Sequence, residues 1–230
     1  LSLFDSGTPT SRVIAEIGGS SASWITMEDI EEFDGEDTLV VLVGEPSLFS
    51  VDVKVPQDTH AGLYPFSLMI VDYHDSSHTS LLWFTIDVAQ HFNISTDVVN
   101  APSTVNPGQS AEWLLEFTNH GNGVDVISMT DIGNPSDWPS FFGTDNSDLF
   151  LTLLPSESEI VIFTLEIPQE VPAGEYWFSI YAHSSDISAA GTYVSVDLNL
   201  TVNSVYQISA SATSAIELTG QPGDTVYFQF

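Results

Sequence analysis

Cysteine is absent from the 230 residues. Disulfides, thiolate metal centres and cysteine nucleophiles are therefore excluded. Small secreted domains often need disulfide staples, but a core of about 100 residues does without them. Basic residues are almost as scarce: Lys and Arg total 2 against 32 Asp and Glu, a formal net charge of −30. Phosphate backbones and anionic lipid headgroups are bound through basic side chains, so nucleic acid and acidic membrane surfaces are excluded as partners. Such a charge loads the folded state with self-repulsion, which salt screens over a Debye length of about 8 Å at physiological strength. The composition points to a salty or cation-rich setting. Long apolar runs are missing too. The longest aliphatic stretch, Leu39-Val40-Val41-Leu42-Val43, falls far short of the ~20 residues of a membrane helix, so no membrane span is expected in this segment. Residue 1 is Leu and no signal peptide opens the chain, which reads as a mature product or an excerpt of something longer.

Helical periodicity is nearly absent as well, and period-2 alternation takes its place. Phe49, Val51, Val53 and Val55 alternate with Ser50, Asp52 and Lys54. Tyr64, Phe66, Leu68 and Ile70 form a second apolar row, and Leu82, Phe84, Ile86 and Val88 a third. The same scheme returns in Val161, Phe163, Leu165 and Ile167, then Tyr176, Phe178 and Ile180, then Val194, Val196, Leu198, Leu200 and Val202. One apolar and one polar face per strand is the requirement of an antiparallel sandwich. Asn119-His120-Gly121-Asn122-Gly123 reads as a hairpin signal. The glycines of the pairs Ala61-Gly62 and Ala173-Gly174 are expected at positive φ.

The chain is written twice. Val55-Pro56-Gln57-Asp58-Thr59-His60-Ala61-Gly62-Leu63-Tyr64 returns 112 residues on as Ile167-Pro168-Gln169-Glu170-Val171-Pro172-Ala173-Gly174-Glu175-Tyr176. Fixed-period self-similarity marks a modular array. Residues 91–203 hold one complete module of about seven short strands, the count of an immunoglobulin-like sandwich. Trp24 matches Trp138, so residues 1–90 form a module that lacks its first two strands. Tyr206-Gln207-Ile208-Ser209 matches Phe92-Asn93-Ile94-Ser95, and Pro222-Gly223 matches Pro107-Gly108. Residues 204–230 therefore read as the first two strands of a third module, or as strands donated to a neighbouring copy. The fold class expected is all-β, with tandem immunoglobulin-like antiparallel sandwiches.

These residues resemble a family. The series Asn106-Pro107-Gly108, Trp113-Leu114-Leu115-Glu116-Phe117-Thr118-Asn119-His120-Gly121-Asn122, Asp137-Trp138-Pro139, Leu154-Pro155-Ser156-Glu157-Ser158 and Ala173-Gly174-Glu175-Tyr176 is similar to tandem Ig-like CARDB (cell-adhesion-related) repeats and their NPCBM-associated relatives. The resemblance covers 91–203 and, less cleanly, both flanks. It implies a surface-protein spacer, an adhesin arm or an accessory domain beside sugar-active enzymes, in archaea or bacteria. The first copy departs from the pattern in a more acidic loop at 25–47 and in lacking the Pro-Gly turn.

Few residues suggest chemistry. Two sequons, Asn93-Ile94-Ser95 and Asn199-Leu200-Thr201, are candidate glycosylation sites, with Asn199 on an outward strand position. Glu28, Asp29, Glu31, Glu32, Asp34, Glu36 and Asp37 place seven carboxylates in ten residues. Six of them (Glu28, Asp29, Glu31, Asp34, Glu36 and Asp37) are the candidate Ca²⁺ ligands, although the spacing is not that of an EF-hand and a solvated acidic loop is the plainer reading. His74 and His78, near Asp72 and Asp75, read as surface-loop residues, since i and i+4 do not share a face outside a helix. Trp83, Trp177 and Tyr181 fall on outward positions, and burial between touching modules is expected for them. No nucleophile elbow, phosphate loop or His-Glu-x-x-His motif occurs. The expectation is a non-enzymatic segment of an extracellular or cell-surface protein, an array of modules with no required cofactor. Its partners would be other copies, neighbouring modules or glycans. A carbohydrate-binding or adhesive module is the alternative.

Overall fold

The computed structural model describes residues 2–3, 10–28, 30–42, 46–133, 135, 138–143, 150–186, 189, 191–206, 208, 211, 219–225 and 227. The fold is all-β, as the alternation requires. The first module contains β1 (Ser2–Leu3), β2 (Thr10–Gly18), β3 (Ile25–Met27), β4 (Glu31–Phe33), β5 (Glu36–Leu42), β6 (Ser47–Leu48), β7 (Val51–Val53), β8 (Gly62–Asp72) and β9 (Thr79–Val88). The second contains β10 (Ile94–Asn100), β11 (Thr104–Val105), β12 (Ser110–Asn119), β13 (Asp125–Ile132), β14 (Ser140–Phe142), β15 (Phe150–Leu153), β16 (Ser158–Glu166), β17 (Gly174–Ser184) and β18 (Tyr193–Val202).

The second module is a sandwich of two sheets, in the orders β10-β12-β16-β14 and β11-β18-β17-β13-β15. These are the A-B-E and A′-G-F-C layers of an immunoglobulin-like fold, with β14 and β15 as the edge strands beside E and C. β11 is parallel to β18 and draws the first strand across to the second sheet. Two residues are too few to show a period, which is why alternation does not reveal it. Between the layers, Trp113 packs on Phe163 at 5.7 Å and edge-on against Phe178 at 5.2 Å. Those rings join β12 to β16 and β17, so apolar packing ties the layers together in a chain without cysteine.

The first module repeats this register. Gly62 faces Val88 as Gly174 faces Val202, and Val13 faces Asp72 as Ile127 faces Ser184. Ser2 and Leu3 pair with Leu48 and Ser47, as Glu116 and Phe117 pair with Ile160 and Glu159. Trp24 lies 4.7 Å from Tyr64, and Trp138 lies 4.7 Å from Tyr176, at interplanar angles of 50° and 47°. Each tyrosine hydroxyl donates to a carbonyl four residues upstream, Tyr64 to His60 and Tyr176 to Pro172, both at 2.8 Å. This is the tyrosine-corner device of such sandwiches. Gly62 takes φ 149°, but Gly174 does not have a positive φ, and nothing in the structure explains the difference.

Candidate interaction surface

The expected hairpin at residues 119–123 is not one. β12 belongs to one sheet and β13 to the other, so the turn crosses between layers at the end of the module that faces the first one. Asn119, fully buried, holds it: its Nδ2 donates to the carbonyls of Gly123 (2.9 Å) and Leu153 (3.1 Å), and its Oδ1 accepts the Gly121 N–H at 2.8 Å.

Asn122 then projects onto the first module and the linker. The Ala61 N–H donates to its main-chain oxygen at 2.8 Å, and its own N–H donates to the His91 carbonyl at 3.2 Å. Its Nδ2 donates to the Thr59 carbonyl (3.2 Å) and the Ala89 carbonyl (3.1 Å), and its Oδ1 accepts the His91 N–H at 2.6 Å. Every polar atom of Asn122 is used, and every partner is a main-chain group. Beside it, the His120 N–H donates to the Asn93 carbonyl at 2.7 Å, and Gln90 Nε2 donates to the Val124 carbonyl at 2.7 Å. The glycines are there for space. A Cβ on Gly121 would lie 2.4 Å from the His91 oxygen, and one on Gly123 would lie 2.5 Å from Gln90 Cδ. Neither glycine has a positive φ; Gly121 is required by the linker backbone, whereas Gly123 faces the flexible end of the Gln90 side chain. A short linker pinned on both sides fixes the angle between modules.

A second surface lies inside the first module. Val53 and Leu165 hold equivalent positions, 112 residues apart as Gly62 and Gly174 are. Leu165 is 0% exposed and Val53 is 43% exposed. Val55, 38% exposed, repeats the contrast with the buried Ile167, whereas Val51 is half-buried against the first module's own core. In the second module Ala111, Trp113 and Leu115 of β12 lie directly beside Leu165, Phe163 and Val161. The opposite imbalance stands in the tail. Ile208, which matches Ile94, is 95% exposed where Ile94 is 8% exposed. Exposed apolar rows of this kind mark interaction surfaces.

The acidic run folds as a β-ribbon. β4 pairs with β5 through an Asp34-Gly35 turn in which both residues have positive φ, 53° and 80°. Alternation throws the carboxylates to both faces of the ribbon. Arg12, one of the 2 basic residues, lies across it: Nη1 is 3.4 Å from Glu31 Oε2 and 3.1 Å from Thr38 Oγ1, and the guanidinium sits 4.2 Å over the Phe33 ring. The Tyr73 hydroxyl donates to Asp34 Oδ2 at 3.3 Å. Desolvation, then the nearby carboxylates of Asp34 and Glu36, raise the Tyr73 phenol above its ordinary value. Glu28, Glu31, Asp34, Glu36 and Asp37 are all exposed. Asp29 lies outside the described residues. Among the described residues no three acidic or histidine side chains converge as metal ligands would. His78 Nδ1 lies 3.0 Å from Asp75 Oδ2, and the Asp72 carboxylate accepts the His74 and Asp75 amides. Ser77, through its hydroxyl and its amide, holds the Asp75 carboxyl below its ordinary value.

Both sequon asparagines are exposed. Asn199 lies opposite Trp177 on the outer sheet face, and in the Asn93 sequon Ser95 Oγ contacts His120 Nε2 at 2.8 Å. Trp83 and Trp177 stand 69% and 63% exposed. They are not buried between the two modules as expected. The joint is made by a turn and a linker, polar groups that apolar periodicity does not reveal.

No protein-family model and no curated protein matches the chain. Solved structures resemble it at low similarity. The protocadherin gammaB7 EC3-6 cis-dimer is 10% identical over 84% of this chain and 40% of that one, with a TM-score of 0.46. Domains 4 and 5 of the S-layer protein SbsC are 11% identical over 81% and 74%, with a TM-score of 0.32. A family 123 glycoside hydrolase from Clostridium perfringens is 11% identical over 52% and 28%, with a TM-score of 0.35. The chain therefore spans under half of the protocadherin and hydrolase chains. The likeness to CARDB-type repeats rests on the sequence motifs alone.

Proposed function

We propose that this chain is a structural segment of an extracellular surface or filament protein, an array of Ig-like modules that acts as spacer, scaffold or fibre subunit through strand complementation. The observation that carries the reading is the unequal burial of Val53 and Leu165. The first module has the apolar row of a complete sandwich without the strand that flanks it in the second module, and the tail carries, exposed, Ile208, the counterpart of Ile94, which is buried in the first strand of the complete sandwich. Residues 204–230 of one copy, or the same strands of a neighbouring module, complete the sandwich of residues 1–90 by β-augmentation. The pinned joint at Asn122 supports the same reading, because a spacer that transmits force or sets a lattice repeat needs a fixed angle between modules. A peptide of residues 204–230, titrated into the full chain, is expected to raise the melting temperature of the first module. No shift at saturating peptide would contradict the reading.

A carbohydrate-binding or adhesive role is the second reading. Trp177 and Tyr193 are exposed on the β17–β18 face, where Tyr181 stacks on Tyr193 at 5.2 Å. Flat aromatic faces of this kind can stack on sugar rings. A glycan array separates the two readings: selective binding that Trp177→Ala abolishes favours the second.

A further inference from the structure

The end of the second module that points away from the first carries an open groove of about 620 Å³. Pro107 and Gly108, Val171 to Ala173, and Asn203 to Tyr206 are among the residues that line it. The repeat gives this groove a meaning. The main-chain groups that hold Asn122 belong to Thr59, Ala61, Ala89 and His91. The 112-residue offset that carries Gly62 to Gly174 carries Thr59 to Val171 and Ala61 to Ala173. The 114-residue offset that carries Val88 to Val202 carries Ala89 to Asn203 and His91 to Val205. All four counterparts line the groove. Side-chain identity changes at three of them, but the contacts to Asn122 use main-chain atoms only, so those changes leave the recognition intact. Exposure agrees. Ala61, with Asn122 seated on it, is half-buried, whereas Ala173 is exposed.

We propose that this groove is the socket for the asparagine-bearing turn of a further module of the same kind, seated as Asn122 is seated on the first module. The occupant is an Asn-Gly turn between the second and third strands of an Ig-like sandwich. Its asparagine would donate from Nδ2 to the Val171 and Asn203 carbonyls, accept the Val205 N–H on Oδ1, and accept the Ala173 N–H on its main-chain oxygen. A glycine in the place of Gly121 would be required, because a Cβ there meets a main-chain oxygen of the linker. This rests on the array reading and adds the partner and the contact geometry to it.

The test lengthens the full chain by appending a second copy of residues 116–203 after Phe230, which continues the tail at the matching strand position and supplies a second Asn-His-Gly-Asn-Gly turn. Hydrogen exchange of the Ala173 amide is then compared with the unlengthened chain. Slowing of about tenfold or more is expected, the equivalent of one new main-chain hydrogen bond. Asn122→Ala made only in the appended copy should reverse part of that protection. If the appended module melts cooperatively but Ala173 exchanges at the same rate, the socket is overturned and the array reading stands. If the appended segment gives no cooperative transition, the tail does not begin a module, and both fall.

Discussion

The Ala61 amide donates to the main-chain oxygen of Asn122 at 2.8 Å, joining a loop of the first module to the crossing turn of the second. Around this bond the asparagine side chain bridges Thr59, Ala89 and His91. Asn122→Ala should remove the side-chain bonds and keep the main-chain ones, at a cost of about 1–3 kcal/mol. Asn122→Asp should be worse, because a carboxylate would face the Thr59 and Ala89 carbonyls with no donor. Urea denaturation gives the energies, and amide exchange at His91 locates the loss. Unchanged exchange at His91 in both variants would contradict the account.

Gly121 and Gly174 separate close approach from chain freedom. A Cβ at Gly121 meets the His91 oxygen, and a Cβ at Gly174 meets nothing within 4 Å. Gly121→Ala should cost about 1–3 kcal/mol through overpacking and change the angle between modules in small-angle scattering. Gly174→Ala should stay within about 0.5 kcal/mol of the parent.

Leu165 and Val53 hold the same place in the two modules, one buried and one open. Leu165→Ala should cost about 2–5 kcal/mol. Val53→Ala should cost under about 1 kcal/mol in the chain alone, and more once strands from another module cover it. Thermal unfolding of each variant, with and without the 204–230 peptide, checks both statements.

Salt should stabilise this protein. The net charge is −30, and raising ionic strength from about 0.1 M to about 1 M shortens the Debye length from about 10 Å to about 3 Å. The melting temperature should rise over that range. Arg12→Gln should steepen the rise, because Arg12 is the cation set into the acidic ribbon.

Tyr73 gives a pH signature at the same ribbon. Its phenol is raised by desolvation, then by Asp34 and Glu36, so the folded state favours the protonated form. The associated stability is present below about pH 10 and is lost as the pH climbs through the folded-state value. Tyr73→Phe should flatten that alkaline loss. An unchanged slope of melting temperature against pH in this variant would count against it.

The fold was legible in the sequence because strand alternation writes the buried face directly: Phe163, Leu165, Phe178 and Leu200 all read as one apolar face and are all buried. The repeat was legible because Tyr64 and Tyr176 sit at one corner of one device. The joint was not. Asn122 contacts main-chain atoms, which leave no mark in side-chain identity, and its Gly/Asn context is shared with ordinary hairpins. The acidic run gave its charge but not its ribbon, because Asp34-Gly35 is a turn signal only once the flanking strands are known to pair. Trp83 and Trp177 were legible as outward, but not as lying away from the joint.

Strand complementation is the central claim, and hydrogen exchange at Val51–Val53 of β7 tests it most directly. The full chain is measured over a range of concentrations beside a chain ending at Asn203. The account predicts protection at β7 that grows with concentration in the full chain and not in the shortened one. Equal exchange in both chains at every concentration would contradict it.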